Sequence, residues 1–177
     1  MKPLSLAALG LAVALLAPAA GAFGQAATET PAAPMPVTDP QEFADMAASS
    51  NMFEIQSSEL ALETSENEEV IAFAEQMVAD HTAAGENMMA AAQEDGVTPA
   101  DAMNEQHQAQ YDELAAADAA AFDQAYIQAQ VTAHEEAIAL FEGFSTEGEE
   151  SALRDFATET LPTLQMHLEH IQAMSGM

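Results

Sequence analysis

The sequence predicts an all-α protein: four long helices with one long crossover, itself containing a short extra helix, between the second and third. Three observations predict it. Apolar residues recur at steps of three and four over four separate stretches. Capping and stop residues punctuate those stretches. The first and last joins are short, whereas Val97 to Asp118 is long enough to travel the length of a bundle and deliver the third long helix parallel to the second.

Residues 1–22 read as a secretory signal, with Lys2 as a short basic start, Leu4 to Leu16 as the apolar run and Ala20-Gly21-Ala22 as the cleavage site. Export is therefore expected. The periplasm is the expected destination, with outer-membrane association or release from the cell as alternatives. Residues 23–38, rich in Pro, Ala and Thr without periodicity, read as a disordered linker, and 39–177 as one helical domain.

The first helix opens at Asp39-Pro40-Gln41-Glu42, where Asp39 caps, Pro40 suits the first helical position and Glu42 sits at capping-box spacing. Phe43, Met46, Ser50, Phe53, Ser57 and Leu60 form its expected core stripe, with Glu54 at the edge. Ser65 and Glu68 are spaced to cap the second helix, which carries Val70, Ala74, Met77, His81, Ala84 and Met88 on one face and stops at Gly96. Thr98-Pro99-Ala100-Asp101 is expected to open the crossover helix, which contains His107 and Tyr111. The third long helix, Ala119 to Phe144, is apolar over a wide arc that includes Phe122, Tyr126, Val131, His134 and Phe141. In the fourth, Leu153, Phe156, Thr160, Leu164, His167, Ile171 and Met174 recur at helical spacing, and Pro162 inside it predicts a kink.

Four helices paired as hairpins around one long crossover make the ferritin-like four-helix bundle arrangement. The segments Phe73 to His81 (FAEQMVADH), Phe122 to Tyr126 (FDQAY), Ala133-His134-Glu135 and Ala157 to His167 (ATETLPTLQMH) carry a closer likeness. Through them the chain resembles a secreted bacterial family of ferritin-like domains of unknown function, often labelled predicted outer-membrane proteins. The resemblance spans roughly Asp39 to Met174 and implies an exported helical bundle, without an activity.

Composition narrows the function classes. The net charge is -28 and the only basic residues are Lys2 and Arg154. Phosphate neutralisation needs clusters of Lys and Arg, so nucleic acid is excluded, and an anionic membrane surface would repel the chain. An envelope protein or a second copy of the chain remain as partner classes. An acidic, lysine-poor surface suits a salt-rich medium, where screening shortens charge repulsion. There is no cysteine, hence no disulfide, thiolate site or thiol nucleophile. No nucleophile triad, phosphate loop or supported acid and base pair is visible, and the chain reads as non-catalytic.

The histidines pose the functional question, because His81, His134 and His167 each lie on an apolar stripe. A di-iron bundle requires Glu-x-x-His pairs, but Val78, Val131 and Leu164 stand three residues before these histidines, so that chemistry is excluded. A mononuclear transition-metal site (Zn, Cu or Fe) with Glu54 adding an oxygen is the sharper reading. The blander one, ranked ahead of it, makes the histidines structural, bonded to Glu54, Tyr126 or one another. Counting from the end where the first two helices meet, His81 and His134 lie at roughly 23 Å and Glu54 at about 17 Å. His167 falls one or two turns nearer that end, which makes His81 and His134 the expected pair. Asp80 points about 100° away from His81 and reads as a surface acid. The stripe His167, His170, Met174, Met177 offers nitrogen and thioether donors suited to copper, though Met174 fits core packing better. The leading expectation is a non-catalytic envelope or stress-associated protein. A metal-binding or redox protein, and a small-ligand carrier with a cavity near Pro162, are the alternatives.

Overall fold

The computed structural model describes residues 36–175. The signal at residues 1–22, the linker up to residue 35, and Met177 of the C-terminal stripe lie outside the described residues. Within them the regular structure is all helical: α1 (Pro40–Thr64), α2 (Glu68–Asp95), α3 (Glu105–Ala115), α4 (Ala119–Glu147) and α5 (Ala152–Ser175). Among the described residues, no helix is long and apolar enough to cross a membrane.

The ends of the helices follow local chemistry. Asp39 caps α1 by accepting from the Glu42 N–H, with Pro40 behind it, as expected. At the second start, Asn67 caps α2 by accepting from the Glu69 N–H, rather than Ser65, which closes α1 and accepts from the Asn67 N–H. α2 stops at Gly96, whose φ of 71° only glycine adopts freely, and the Val97 N–H closes back on the Ala92 carbonyl. The crossover helix begins later than expected. Asn104 supplies the cap, accepting from the His107 N–H, and Thr98 to Met103 stay non-helical. α4 runs past Phe144 to Glu147. Pro162 is exposed within a continuous α5.

The four long helices pack as a ring in the order α1, α2, α5, α4, and α3 lies across α1 and α4. Contacts at one end set their directions. The Asp95 carboxylate at the end of α2 accepts from the Ala152 and Leu153 N–H groups at the start of α5, at 2.9 and 2.8 Å. Phe43 near the start of α1 stacks on Phe144 near the end of α4. The starts of α1 and α5 therefore meet the ends of α2 and α4, and α2 and α4 run the same way. The crossover is pinned by His107, buried over Phe53 on α1. Ser49 Oγ accepts from the Asn104 N–H and shares a hydrogen bond of 2.6 Å with His107 Nδ1.

The core is two apolar blocks with a polar belt between them. One block gathers Phe43, Ala47, Met88, Phe141, Phe144, Leu153 and Leu164, and Val37 packs against it ahead of α1. The other gathers Ala61, Val70, Phe73, Met77, Phe122, Tyr126 and Ile171. On every long helix the buried polar residues fall between these sets: Ser50, Glu54, Ser57 and Ser58 on α1, His81 on α2, Gln130 and His134 on α4, and His167 on α5. Met46 does not join the α1 stripe: it is exposed, and the small residues Ala44, Ala47, Ala48 and Ala61 take the buried places.

Candidate metal centre

Three histidines from three helices meet inside the belt. His81, His134 and His167 are buried, with ring centroids 5.8, 5.5 and 5.6 Å apart, a nearly equilateral triangle. One nitrogen from each ring comes within 4.8 Å of the other two.

The outward nitrogens identify the inward ones. His81 Nδ1 lies 2.7 Å from Glu54 Oε2 and 3.1 Å from Asn51 Oδ1. Gly85 on α2 makes room for that amide, since a Cβ there would meet Asn51 Nδ2 at 3.0 Å. His134 Nδ1 lies 2.8 Å from the Gln130 carbonyl, one turn back on its own helix. His167 Nε2 lies 2.9 Å from Asp80 Oδ2, a carboxylate half in solvent. A carbonyl or carboxylate oxygen only accepts, so each of these nitrogens carries the ring proton and donates. The remaining nitrogens, His81 Nε2, His134 Nε2 and His167 Nδ1, are then lone-pair acceptors, and all three are buried without a hydrogen-bond partner. Three acceptors facing one another with no donor among them is costly in a protein interior. A cation at their centre removes that cost.

The outer partners do what such partners do around bound metals: they fix tautomer and ring orientation and make the inward nitrogen more basic. Glu54 is anchored in turn by Ser50 Oγ, 3.1 Å from Oε1. Gln130 Nε2 donates to Ser57 Oγ at 2.8 Å, tying the His134 support on α4 to α1. At a metal to imidazole distance of 2.0–2.1 Å, tetrahedral nitrogens lie roughly 3.3 Å apart, so small inward rotations of the rings close the set.

Burial lowers the pKa of His134, against the opposing pull of Glu54, and lowers that of His167, against Asp80. Both are thereby kept neutral and able to ligate near pH 7. Burial alone would raise the Glu54 carboxyl, but the positive charge of His81 and His134 when protonated, with the His81 and Ser50 hydrogen bonds, brings it from 4.5 down to about 2. The buried Tyr126 hydroxyl, bonded to Ser58, is pushed up, chiefly by burial.

These shifts set an acid profile for the metal-free protein. Glu54, His134 and His167 bind protons more weakly folded than unfolded, so their stabilisation is complete above the unfolded pKa and is lost as pH falls. His134 and His167 begin to lose it below about pH 6.5, and Glu54 loses its share between about 4.5 and 2. Urea unfolding from pH 7.5 downward is expected to show a fall that starts near the histidine range and steepens below pH 4.5. A stability unchanged from pH 7 to 5 would contradict the neutral, buried imidazoles.

The structure brings together three of the candidate residues, His81, His134 and His167, at one level of the bundle. The expected height of His167 is corrected because α5, with 24 residues, is shorter than α4, with 29. Counted from the α4 to α5 turn, where the two helices do meet, His134 and His167 fall within two residues of each other. Glu54 stands behind His81, with Oε2 on His81 Nδ1 and Oε1 accepting from Ser50 Oγ, on the side of the ring away from its inward nitrogen. Tyr126 bonds Ser58 and not a histidine. Asp80 leaves His81 alone, as its direction implied, but holds His167 across the α2 to α5 contact. Gln130 and Asn51 went unnoticed, although Ser50, Asn51, Glu54, Ser57 and Ser58 already form a polar stripe at helical spacing within an apolar one. His170 is exposed, its ring edge-on to Phe73, and Met174 packs in the core, so neither joins the cluster.

Fold and site together define an all-helical bundle with a buried three-histidine cluster. The chain belongs to the family described as Domain of unknown function (DUF4142), whose model matches residues 25–174. It is similar in structure to "CopM in the Cu(II)-bound form", at 19% identity and a TM-score of 0.64 over 78% of this chain and 96% of that one. It is also similar to a DUF305 fragment from Deinococcus radiodurans, at 14% identity and a TM-score of 0.68 over 81% of this chain and 99% of that one. These likenesses show a shared helical fold. No curated protein matches the chain.

Proposed function

We propose that this protein binds one transition-metal ion through His81 Nε2, His134 Nε2 and His167 Nδ1. The observation that carries the reading is the convergence of three buried imidazole nitrogens, each without a partner, while the far nitrogen of each ring is held by a carboxylate or carbonyl. Structural histidines would satisfy both nitrogens, and these satisfy one. A neutral three-imidazole set suits copper and zinc. Copper is the first ion to test, because CopM shares the fold and its structure is of a Cu(II)-bound form.

The biological setting we infer is the cell envelope, reached by cleavage of the signal at residues 1–22. There a ferritin-like bundle of this kind would hold metal rather than run chemistry, since the two nearby carboxylates, Glu54 and Asp80, are both engaged with the outward nitrogens of the histidines. Two short hairpins joined by a long crossover support the ferritin-like label. The cavity beside Thr160 and Leu164 measures about 20 Å³, room for about one water, and the larger space of about 710 Å³ next to Pro162, lined by Asp80, Glu94, Glu159 and Thr163 among others, is an open acidic groove rather than the apolar pocket that a small-ligand carrier needs.

Titration of metal-free protein with Cu²⁺ or Zn²⁺ in about 0.15 M NaCl, where surface charge is screened beyond roughly 8 Å, tests this. The expected result is one ion per chain, with nitrogen hyperfine structure in the Cu(II) spectrum. Many equal, weak sites that salt erases would instead mean adsorption to surface carboxylates.

A further inference from the structure

Glu54 is the buried group the ligand set leaves over. Its side chain is 1% exposed, in the middle of the belt. A buried carboxylate ordinarily faces Lys or Arg. Among the described residues the one such side chain is Arg154, and its guanidinium donates to the Ser145 carbonyl in the last turn of α4, far along the bundle from Glu54. The neighbours that Glu54 does have are the Ser50 hydroxyl and the histidine cluster, whose rings must be neutral to ligate a metal. A second carboxylate, Asp80, stands on the opposite flank of the cluster, 2.9 Å from His167 and 39% exposed. The three imidazoles, when neutral, contribute no charge, so the site with its two flanking carboxylates carries two negative charges.

We propose that Glu54, with Asp80 at the rim, is a fixed counter-charge that makes the cluster select a divalent over a monovalent cation. The inference rests on the metal reading above and adds which charge state the site takes. A divalent ion among three neutral imidazoles and two carboxylates gives a neutral assembly. A monovalent ion leaves one uncompensated negative charge in the bundle interior. Coulomb energy is proportional to the charge of the ion, so whatever factor the Glu54 charge contributes to the affinity of a monovalent ion, it contributes the square of that factor for a divalent one. Glu54 thus acts through His81 and through space, as a positioning and charge-balancing residue.

Glu54→Gln separates the charge from the hydrogen bond, since the amide oxygen still accepts from His81 Nδ1 and the amide N–H₂ can donate to Ser50. The measurement is the dissociation constant for Cu²⁺ and for Cu⁺, each by chelator competition, in the intact mature parent and variant. Losing a partner of this kind weakens a metal by on the order of 10- to 100-fold. That loss is expected for Cu²⁺, and its square root, roughly 3- to 10-fold, for Cu⁺. The reduction potential of the bound copper then rises by about 30–60 mV, at 59 mV per tenfold for one electron. Asp80→Asn, at the solvent-facing rim, is expected to show the same inequality, weaker, and serves if Glu54→Gln does not fold. Equal losses for the two ions, or no loss for either, would overturn the charge role and leave Glu54 as a hydrogen-bond acceptor only. A parent that binds neither ion would instead overturn the metal reading, so the two failures are distinct.

Discussion

Copper or zinc at a free concentration about 1,000 times its dissociation constant is expected to raise the unfolding free energy of the parent by about 4 kcal/mol and to leave His134→Ala unchanged. For a domain of this size that is a shift in melting temperature of roughly 12 °C, at about 3 °C per kcal/mol. His134 is the informative position because its own support is local. Nδ1 bonds the Gln130 carbonyl on the same helix, so the substitution breaks no hydrogen bond between helices. In metal-free protein the loss of packing at a fully buried site costs about 1–3 kcal/mol, offset in part because one of three facing lone pairs is gone. Metal-free and metal-loaded unfolding, followed by circular dichroism in about 0.15 M NaCl, separates the two effects. Mg²⁺ serves as the control, since it prefers oxygen ligands and screens the surface without binding imidazole. Equal stabilisation of parent and variant by Cu²⁺ or Zn²⁺ would place the binding elsewhere.

The sequence disclosed the helices well and the site in part, for different physical reasons. Helix periodicity and caps are local: Asp39 with Pro40, and Gly96, act within one turn and so can be read within one turn. Asn104 was missed because Pro99 offered an earlier start, and what decides between them is Ser49, which accepts the Asn104 N–H from α1, 55 residues away. His81 and His134 were visible as polar residues on apolar stripes. His167 was misplaced because the count assumed that four helices end together, and α5 stops short. Asp80 was misread for a similar reason. Its direction relative to His81 was correct, but which helix lies in that direction is a property of the ring order α1, α2, α5, α4, and that is not written in any one helix. The support of His134 left a fainter sign still, because the group that holds it is the main-chain carbonyl of Gln130.

The polar belt and the apolar blocks divide stability from binding. Belt residues are held by specific hydrogen bonds that set ring orientation, whereas the blocks supply the burial that keeps four helices together. Variants in the two layers should therefore behave differently.

Phe43→Ala is expected to cost about 3–5 kcal/mol, a large share of the 5–15 kcal/mol typical of a whole domain. Phe43 is fully buried at the start of α1, stacked on Phe144 with ring centroids 4.0 Å apart and 7° between planes, and edge-on to Phe141 at 5.1 Å. Removing the ring leaves a cavity lined by two aromatics fixed on the opposing α4, which cannot both move in to fill it. It also loosens the seat of Val37, which packs against the same block. The double variant with Phe144→Ala should lose less than the sum of the single variants, by about 0.5–1.5 kcal/mol, the usual coupling of an aromatic pair. The metal affinity of the folded fraction should not change. Asn51, the nearest residue along α1 that touches one of the three histidines, lies roughly 12 Å up the helix from Phe43 at 1.5 Å per residue. Urea unfolding with and without metal measures both quantities. A loss below about 1 kcal/mol would mean that the first turns of α1 are not part of a cooperative core, and a weakened metal site in the folded variant would mean that the belt depends on the block beside it.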